Sequence, residues 1–269
     1  MDREQKIWAG LTAHYTEALE HFPREQIVTL CLQGSQNYKL DTPDSDIDTK
    51  LIITPTFKDI CLNRKPVSTT HIRANDEHID FKDIRLYIET FRKQNLNFLE
   101  ILFTPYSMVN NMYADEWVKL VLNREDIAHM NPYRAVKSMK GIAMEKYHAM
   151  EHKYPSKIEL IEQYGYDPKQ TSHLVRVRDY LDRYIAGLPY EECLTPSEEY
   201  ITLIKDLKMK KYSLEEARAI ADENIAYVSI IADAFCDKHK DEENPKMREL
   251  LEDVSYNIMK ISTVTEILG

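Results

Sequence analysis

The chain has 269 residues, 43% of them hydrophobic and 30% charged, with a formal charge of −10. That is a globular composition with enough apolar content for one large domain or two small ones. The acidic balance disfavours a general basic surface for wrapping long duplex DNA. The six glycines lie far apart, which excludes a G-x-G-x-x-G fingerprint or a Walker-type loop. Cys31, Cys61, Cys193 and Cys236 form no C-x-x-C pair, so neither a zinc knuckle nor a disulfide framework is expected. The residues after Met1 lack an apolar leader pattern, and the apolar runs are too short to span a bilayer. The expectation is a cytoplasmic protein without a membrane partner.

Residues 3–21 place Ile7, Trp8, Leu11, Tyr15, Ala18 and Leu19 at helical spacing. Ile27–Gln33 is β-branched and apolar and predicts a buried strand, ended by Gly34-Ser35. Residues 36–45, with Pro43, predict a loop or short helix, and Ile47–Ile53 a second strand. Residues 68–73 and 77–81 predict a hairpin around Asn75-Asp76. A helix is expected from Ile84 to Lys93, and Phe98–Phe103 reads as another strand. After that the strand signals stop. Asn131-Pro132 is a helix-start pair, and further helices are expected from Pro168 to Gly187 and over about 197–209, 213–238 and 245–267. The fold class predicted is α+β: a first domain, 1–125, with a small mixed β-sheet flanked by helices, and an all-helical second domain, 126–269. Residues 134–178 carry nine basic and five acidic side chains, whereas residues 179–269 carry eleven and twenty.

The strongest chemical signal is Gly34-Ser35 followed by Asp46-Ile47-Asp48. In an extended chain Asp46 and Asp48 project to the same side, with Ile47 to the other. Adjacent carboxylates repel, and a hard divalent cation such as Mg²⁺ resolves the repulsion. Asp80, flanked by Ile79 and Phe81, adds a third carboxylate if its strand pairs with the one carrying Asp48. Asp76, Glu77 and Asp83 compete for that role, but they read as turn, strand start and helix start. Gly34 permits close backbone approach, and a helix starting at Ser35 would offer N–H groups and a hydroxyl to an anion. Together these residues fit a site in which two metal ions serve phosphoryl transfer.

These residues resemble the motif set of the DNA polymerase β-type nucleotidyltransferase superfamily. More narrowly, Leu32–Lys39, Asn97–Phe103 and Tyr166–His173 are similar to the RlaP-like nucleotidyltransferases predicted in bacteria and their viruses. The resemblance covers about two thirds of the chain. It implies transfer of a nucleoside monophosphate from an NTP with release of pyrophosphate, Mg²⁺ or Mn²⁺ (two ions) on Asp46, Asp48 and Asp80, and a cytoplasmic setting in a bacterial or phage-infected cell. The acceptor does not carry over. Thr49 departs from the pattern, where an apolar residue is more usual.

On the helix from Pro168, Lys169, His173, Arg176, Tyr180 and Arg183 form one polar stripe. A solvated face is the ordinary reading of such a stripe. The local positive charge and the Lys-x-x-x-His-x-x-Arg match favour triphosphate binding by Lys169 and Arg176, with His173 beside them. Arg134, Lys137 and Lys140 on the preceding helix face either a ligand or solvent. Two other readings remain: a catalytically silent module binding a nucleotide or an RNA end, and a toxin- or defence-type transferase acting on tRNA or protein.

Overall fold

The computed structural model describes residues 2–42 and 45–268, with the backbone alone at Ser156; Pro43 and Asp44, placed by sequence in the loop before Asp46, lie outside the described residues. The chain divides into two compact units, residues 1–130 with 243–269 and residues 131–242.

The first unit opens with α1 (Arg3–His21), whose start is fixed by a capping box between Asp2 and Gln5. Its buried stripe is Ile7, Leu11, His14 and Ala18; of the apolar residues read from the sequence, Trp8 and Leu19 are exposed instead, and His14 joins the buried face. β1 (Ile27–Gln33) and β2 (Asp48–Ile53) pair antiparallel. A five-residue helix α2 (Phe57–Cys61) follows, then the hairpin of β3 (Ser68–Ile72) and β4 (His78–Asp83). Asp76 takes the left-handed conformation in its turn, at φ 65°. β2 and β4 pair parallel, and β5 (Ser107–Val109) pairs antiparallel with β1, so among the described residues the sheet order is β3-β4-β2-β1-β5.

α3 (Ile84–Arg92) is capped by Asp83, and α4 (Leu96–Leu99) by Asn95. α5 (Ala114–Leu122) and α6 (Arg124–Ala128) complete this run of the first unit. The second unit holds α7 (Pro132–Ala149), α8 (Ile158–Tyr164), α9 (Pro168–Ile185), α10 (Tyr190–Leu194), α11 (Glu198–Lys208) and α12 (Leu214–Cys236). α13 (Pro245–Leu268) belongs to the first unit again. The expected α+β class, with a mixed sheet flanked by helices and a helical region after it, is what the structure has.

Two expectations are corrected. Phe98–Phe103 is not a strand: it lies in α4 and a 3₁₀ turn over Glu100–Leu102. A short apolar run looks alike as a buried strand or a buried helix, and the Asn95 cap decides for the helix here. The domain division also differs from 125/126. The chain leaves the first unit after Met130, and α13 returns to it because its stripe of Met247, Leu251, Val254 and Ile258 is buried there. Ser262 on α13 bonds the Thr54 hydroxyl at 2.7 Å, and Glu243 takes both ends of the Arg92 guanidinium at 2.9 Å.

The core of the first unit lies between α1 and the sheet, with Ile27, Leu30, Leu32, Leu51, Ile53, Ile79 and Phe81 against Ile7, Leu11 and Ala18. Ile47 joins this core. A Cβ on Gly10 would stand 2.8 Å from the Ile47 Cγ2. Gly10 therefore lets α1 lie directly on the residue between Asp46 and Asp48.

Candidate active site

β1 ends at Gln33, which pairs with Asp48 at the start of β2. The next residue, Gly34, sits at φ 90° and ψ −157°, a conformation open only to glycine. A Cβ there would meet nothing within 4 Å. The requirement is thus for backbone angle, and the space beside Gly34 is open. Its N–H donates to the Glu100 carboxylate at 3.1 Å.

Ser35–Tyr38 is a four-residue 3₁₀ turn. Ser35 therefore opens a 3₁₀ turn and not an α-helix, too short to carry a sustained dipole. Asn37 fixes the turn by donating to the Leu32 carbonyl at 3.0 Å and accepting the Thr104 hydroxyl at 2.8 Å. Among the described residues no hydrogen bond engages the Ser35 hydroxyl, which is half-buried beside that open space.

Asp46 is exposed, and Asp48 is half-buried and accepts the His78 N–H at 2.9 Å. Side chains alternate along a strand, so Asp48 and Lys50 share one face of β2. The parallel register sets Asp80 opposite Lys50. Asp48 and Asp80 therefore share a sheet face, but a lysine stands in register with the third carboxylate. Lys50 is 3% exposed, and its Nζ lies 3.1 Å from Asp80 Oδ2. Asp80 also accepts the Thr70 hydroxyl at 2.6 Å and the Gln33 amide at 3.4 Å. Burial pushes the Asp80 carboxyl up, yet Lys50, Thr70 and Gln33 outweigh it and hold the group below the usual range. Burial pushes the Lys50 ammonium down, against the pull of Asp80. The Phe98 ring lies under both the Lys50 and Lys82 ammonium groups, at 4.2 and 3.9 Å. A pocket of about 150 Å³ opens beside Asp80, lined by Ser68, Thr69, Thr70, Phe81, Lys82 and Phe98.

Carboxylate oxygens are the donors a hard divalent cation takes. Asp46 and Asp48 carry such oxygens. Asp80, bound to Lys50 and Thr70, does not join them, and among the described residues no three His, Cys, Asp or Glu side chains come together as a metal-binding group.

Sequence reasoning set Glu77 aside, and the structure makes it the anchor of the Asp46–Asp48 segment. Its carboxylate accepts the Ile47 N–H at 3.2 Å, Arg73 at 2.7 Å and the His14 Nε2–H at 3.1 Å. His14 Nδ1 meets the Thr49 hydroxyl at 2.8 Å. Burial, ahead of the Glu77 bond that opposes it, lowers the His14 pKa. Burial favours the neutral ring; since a carboxylate only accepts, Nε2–H faces Glu77, and in the neutral ring Nδ1 is left to accept from the Thr49 hydroxyl. The Thr49 hydroxyl thereby gives a buried histidine on α1 a polar partner. The spacing of His14 on the buried stripe of α1 was the available signal for this network.

In the second unit, Lys169 is exposed, His173 half-buried and Arg176 buried. Burial lowers the His173 pKa well below the usual range, and Arg176, Lys169, Lys146 and Lys208 push it the same way. Lys169 and Arg176 thus belong to one cationic cluster drawn from α7, α9 and α11. The lower half of the stripe is structural. Tyr180 packs on Tyr184 and Tyr190, and Arg183 donates to Asp179 and to the carbonyls of Glu192, Cys193 and Thr195. Arg134 pairs with Asp241 at 2.7 Å, Lys140 with Asp233 at 2.7 Å, and Lys137 lies over the Tyr133 ring at 5.5 Å.

No family model matches the chain, and no curated protein matches it. Among solved structures, a nucleotidyltransferase-like protein from Exiguobacterium sibiricum 255-15 is similar over 82% of this chain and 74% of its own, at 11% identity and a TM-score of 0.30. A likeness that slight leaves the site to be read from its own residues. No helix among the described residues is long and apolar enough to cross a membrane.

Proposed function

We propose that the chain is a nucleotidyltransferase, moving a nucleoside monophosphate from an NTP to an acceptor. The observation that carries this reading is one register. Asp48 is paired with Gln33, immediately before the open Gly34-Ser35 turn, while Asp80 stands on the same face of the neighbouring parallel strand. A phosphate chain lying over the turn would meet the Ser35 hydroxyl and bring its α-phosphorus to the carboxylate face. The acceptor oxygen would then attack that phosphorus, and its bond to the pyrophosphate oxygen would break. Asp46 and Asp48 would hold the divalent cation, which when bound offsets phosphate charge and favours the acceptor alkoxide. In this reading Lys169, His173 and Arg176 serve the triphosphate, and the acceptor is a compact one: a small molecule, a protein side chain or the end of a structured RNA.

A second reading, the catalytically silent binding module, has one observation in its favour: Lys50 already neutralises Asp80. Incubation with each labelled NTP, Mg²⁺ or Mn²⁺ and a cell extract separates the two. Label moved to an acceptor, and lost in Asp48→Asn, supports the transferase. Nucleotide binding with no labelled product from any of the four NTPs supports the silent module. A labelled tRNA or protein would identify the toxin- or defence-type transferase among the acceptors.

A further inference from the structure

β3 is the outer strand of the sheet on the β4 side, and four of its five residues are exposed. Val67 accepts the Asp83 N–H, and Arg73 donates to the Glu77 carbonyl, both at 2.9 Å. Antiparallel pairing alternates. Thr69 and His71 therefore also turn their backbone groups to β4, and those of Ser68, Thr70 and Ile72 turn outward. Among the described residues no backbone group meets them. An open edge of this kind accepts an added strand.

The same edge borders the pocket. Ser68 and Thr70 share a sheet face with Lys82 and Asp80, their partners in register, and the Thr70 hydroxyl bonds Asp80 there. The pocket of about 150 Å³ opens on that face, where Lys82 stands 3.9 Å from the centre of the Phe98 ring. Lys82 is half-buried and forms no ion pair among the described residues. The carboxylate that bears on it, Asp80, is paired with Lys50. Burial and the like charges of Lys50 and Lys93 lower the Lys82 pKa. Residues 64–73 hold Arg64, Lys65 and Arg73 and no acidic residue. Arg64 is paired with Asp59, and Arg73 with Glu17 and Glu77. Lys65 and Lys82 are left as the uncompensated charges, flanking Ser68 in sequence and in register.

We propose that the β3 edge binds an extended acidic segment of a partner protein by strand addition, with an acidic side chain of that segment entering the pocket to meet Lys82. The outward groups of Ser68, Thr70 and Ile72 supply the backbone bonds, and Lys82 selects the charge. The added residue opposite Ser68 stands two strand spacings, about 9.6 Å, from Lys82. Ser68 is small, and a lysine and a glutamate close that gap across it. A second copy of this chain fits less well, because it would lay the same acid-free stretch against this one, with like charges facing. The site needs neither a metal ion nor the transferase reading.

The test titrates the full chain into a fluorescently labelled peptide of alternating threonine and glutamate, about eight residues long, and reads anisotropy at near-physiological salt. Binding tighter than about 1 mM is expected, at least about tenfold tighter than for the peptide of alternating threonine and lysine. Methylating the glutamate backbone nitrogens keeps the charge and removes the donors that face β3, and should weaken binding at least about tenfold. This arm leaves the protein untouched, so it does not depend on the folding of any variant. Lys82→Gln should weaken the acidic peptide at least about fivefold. Ser68→Pro deletes an outward N–H at an edge position that tolerates proline, and should weaken it as well. No binding at about 1 mM, equal affinity for the acidic and basic peptides, full affinity after methylation, or unchanged binding in Lys82→Gln would each overturn the proposal. Self-association of the chain that Ser68→Pro abolishes would assign the edge to a second copy and overturn it too.

Discussion

The carboxylate face of the sheet and the cationic cluster around His173 handle charge in opposite ways. On and beside the sheet, opposite charges meet at hydrogen-bond distance: Asp80 with Lys50 on neighbouring strands, Glu77 with Arg73 in the β3–β4 hairpin, and Glu17 of α1 with Arg73. Around His173 the charges that push hardest on the ring are positive, from Arg176, Lys169, Lys146 and Lys208, although Lys146 also pairs with Glu145 at 2.7 Å. Two histidines with lowered pKa values mark the contrast. Burial acts first on both, but Glu77 opposes it at His14, whereas every neighbouring cation adds to it at His173. A sheet with a fixed register can bring each charge to its opposite and so hold a site nearly neutral. Side chains converging from three helices can instead concentrate one sign, which suits an anionic ligand.

The sharpest break of that comparison is on the carboxylate side. Asp46→Asn or Asp48→Asn should lower transfer by at least about 100-fold, the scale for losing one preorganised electrostatic contact. The fold should be kept, since Asp46 is exposed. Wild-type turnover at saturating metal would refute the assignment. Next in size is Glu77→Ala, which strands the Ile47 N–H, Arg73 and His14. A loss of about 2 kcal/mol is expected in a denaturant melt; a change of less than a few tenths would show that the segment is held by packing alone.

On the cationic side, Lys169→Ala or Arg176→Ala should weaken NTP binding about tenfold more than NMP binding, equivalent to about 1.4 kcal/mol, because the monophosphate lacks the outer phosphates. Calorimetric titration of both ligands checks this, and equal losses would return the stripe to a structural role.

A smaller effect concerns pH. Lowered histidine pKa values mean that the unfolded chain binds more protons just below the ordinary value of 6.5. The stability contributed by neutral His14 and His173 is full above that value and is lost as pH falls below it. At His14 the facing charges are Glu77, Arg73 and Asp48; at His173 they are the four cations. Melting temperature should fall by about 2–4 °C for each kcal/mol lost, and His14→Gln should flatten part of the slope. An unchanged slope in that variant would remove His14 from the account. The smallest expected signal is with long duplex DNA: at near-physiological salt, an anisotropy titration should show no submicromolar binding, because one cationic cluster in a chain of charge −10 neutralises too few phosphates.

Much of this molecule was legible in its residues. The stripe of α1, the apolar β1, the hairpin through Asn75-Asp76 and the Asn131-Pro132 start of α7 follow from local periodicity and caps, and the structure has each of them. Gly34, Ser35, Asp46, Asp48 and Asp80 were identifiable as a candidate set because residue type and spacing are local too. Phe98–Phe103 reads as a strand in sequence but is helical in the structure, because a period cannot be judged over so few apolar residues. The parallel register that sets Lys50 against Asp80, the reach of His14 to Thr49 and Glu77, the return of α13 to the first unit, and the gathering of Lys146 and Lys208 around His173 were decided only by the tertiary structure. The physical reason is the same in each case. Which face a side chain takes depends on the few residues around it, whereas which charge lies opposite depends on how strands and helices distant in sequence come into register.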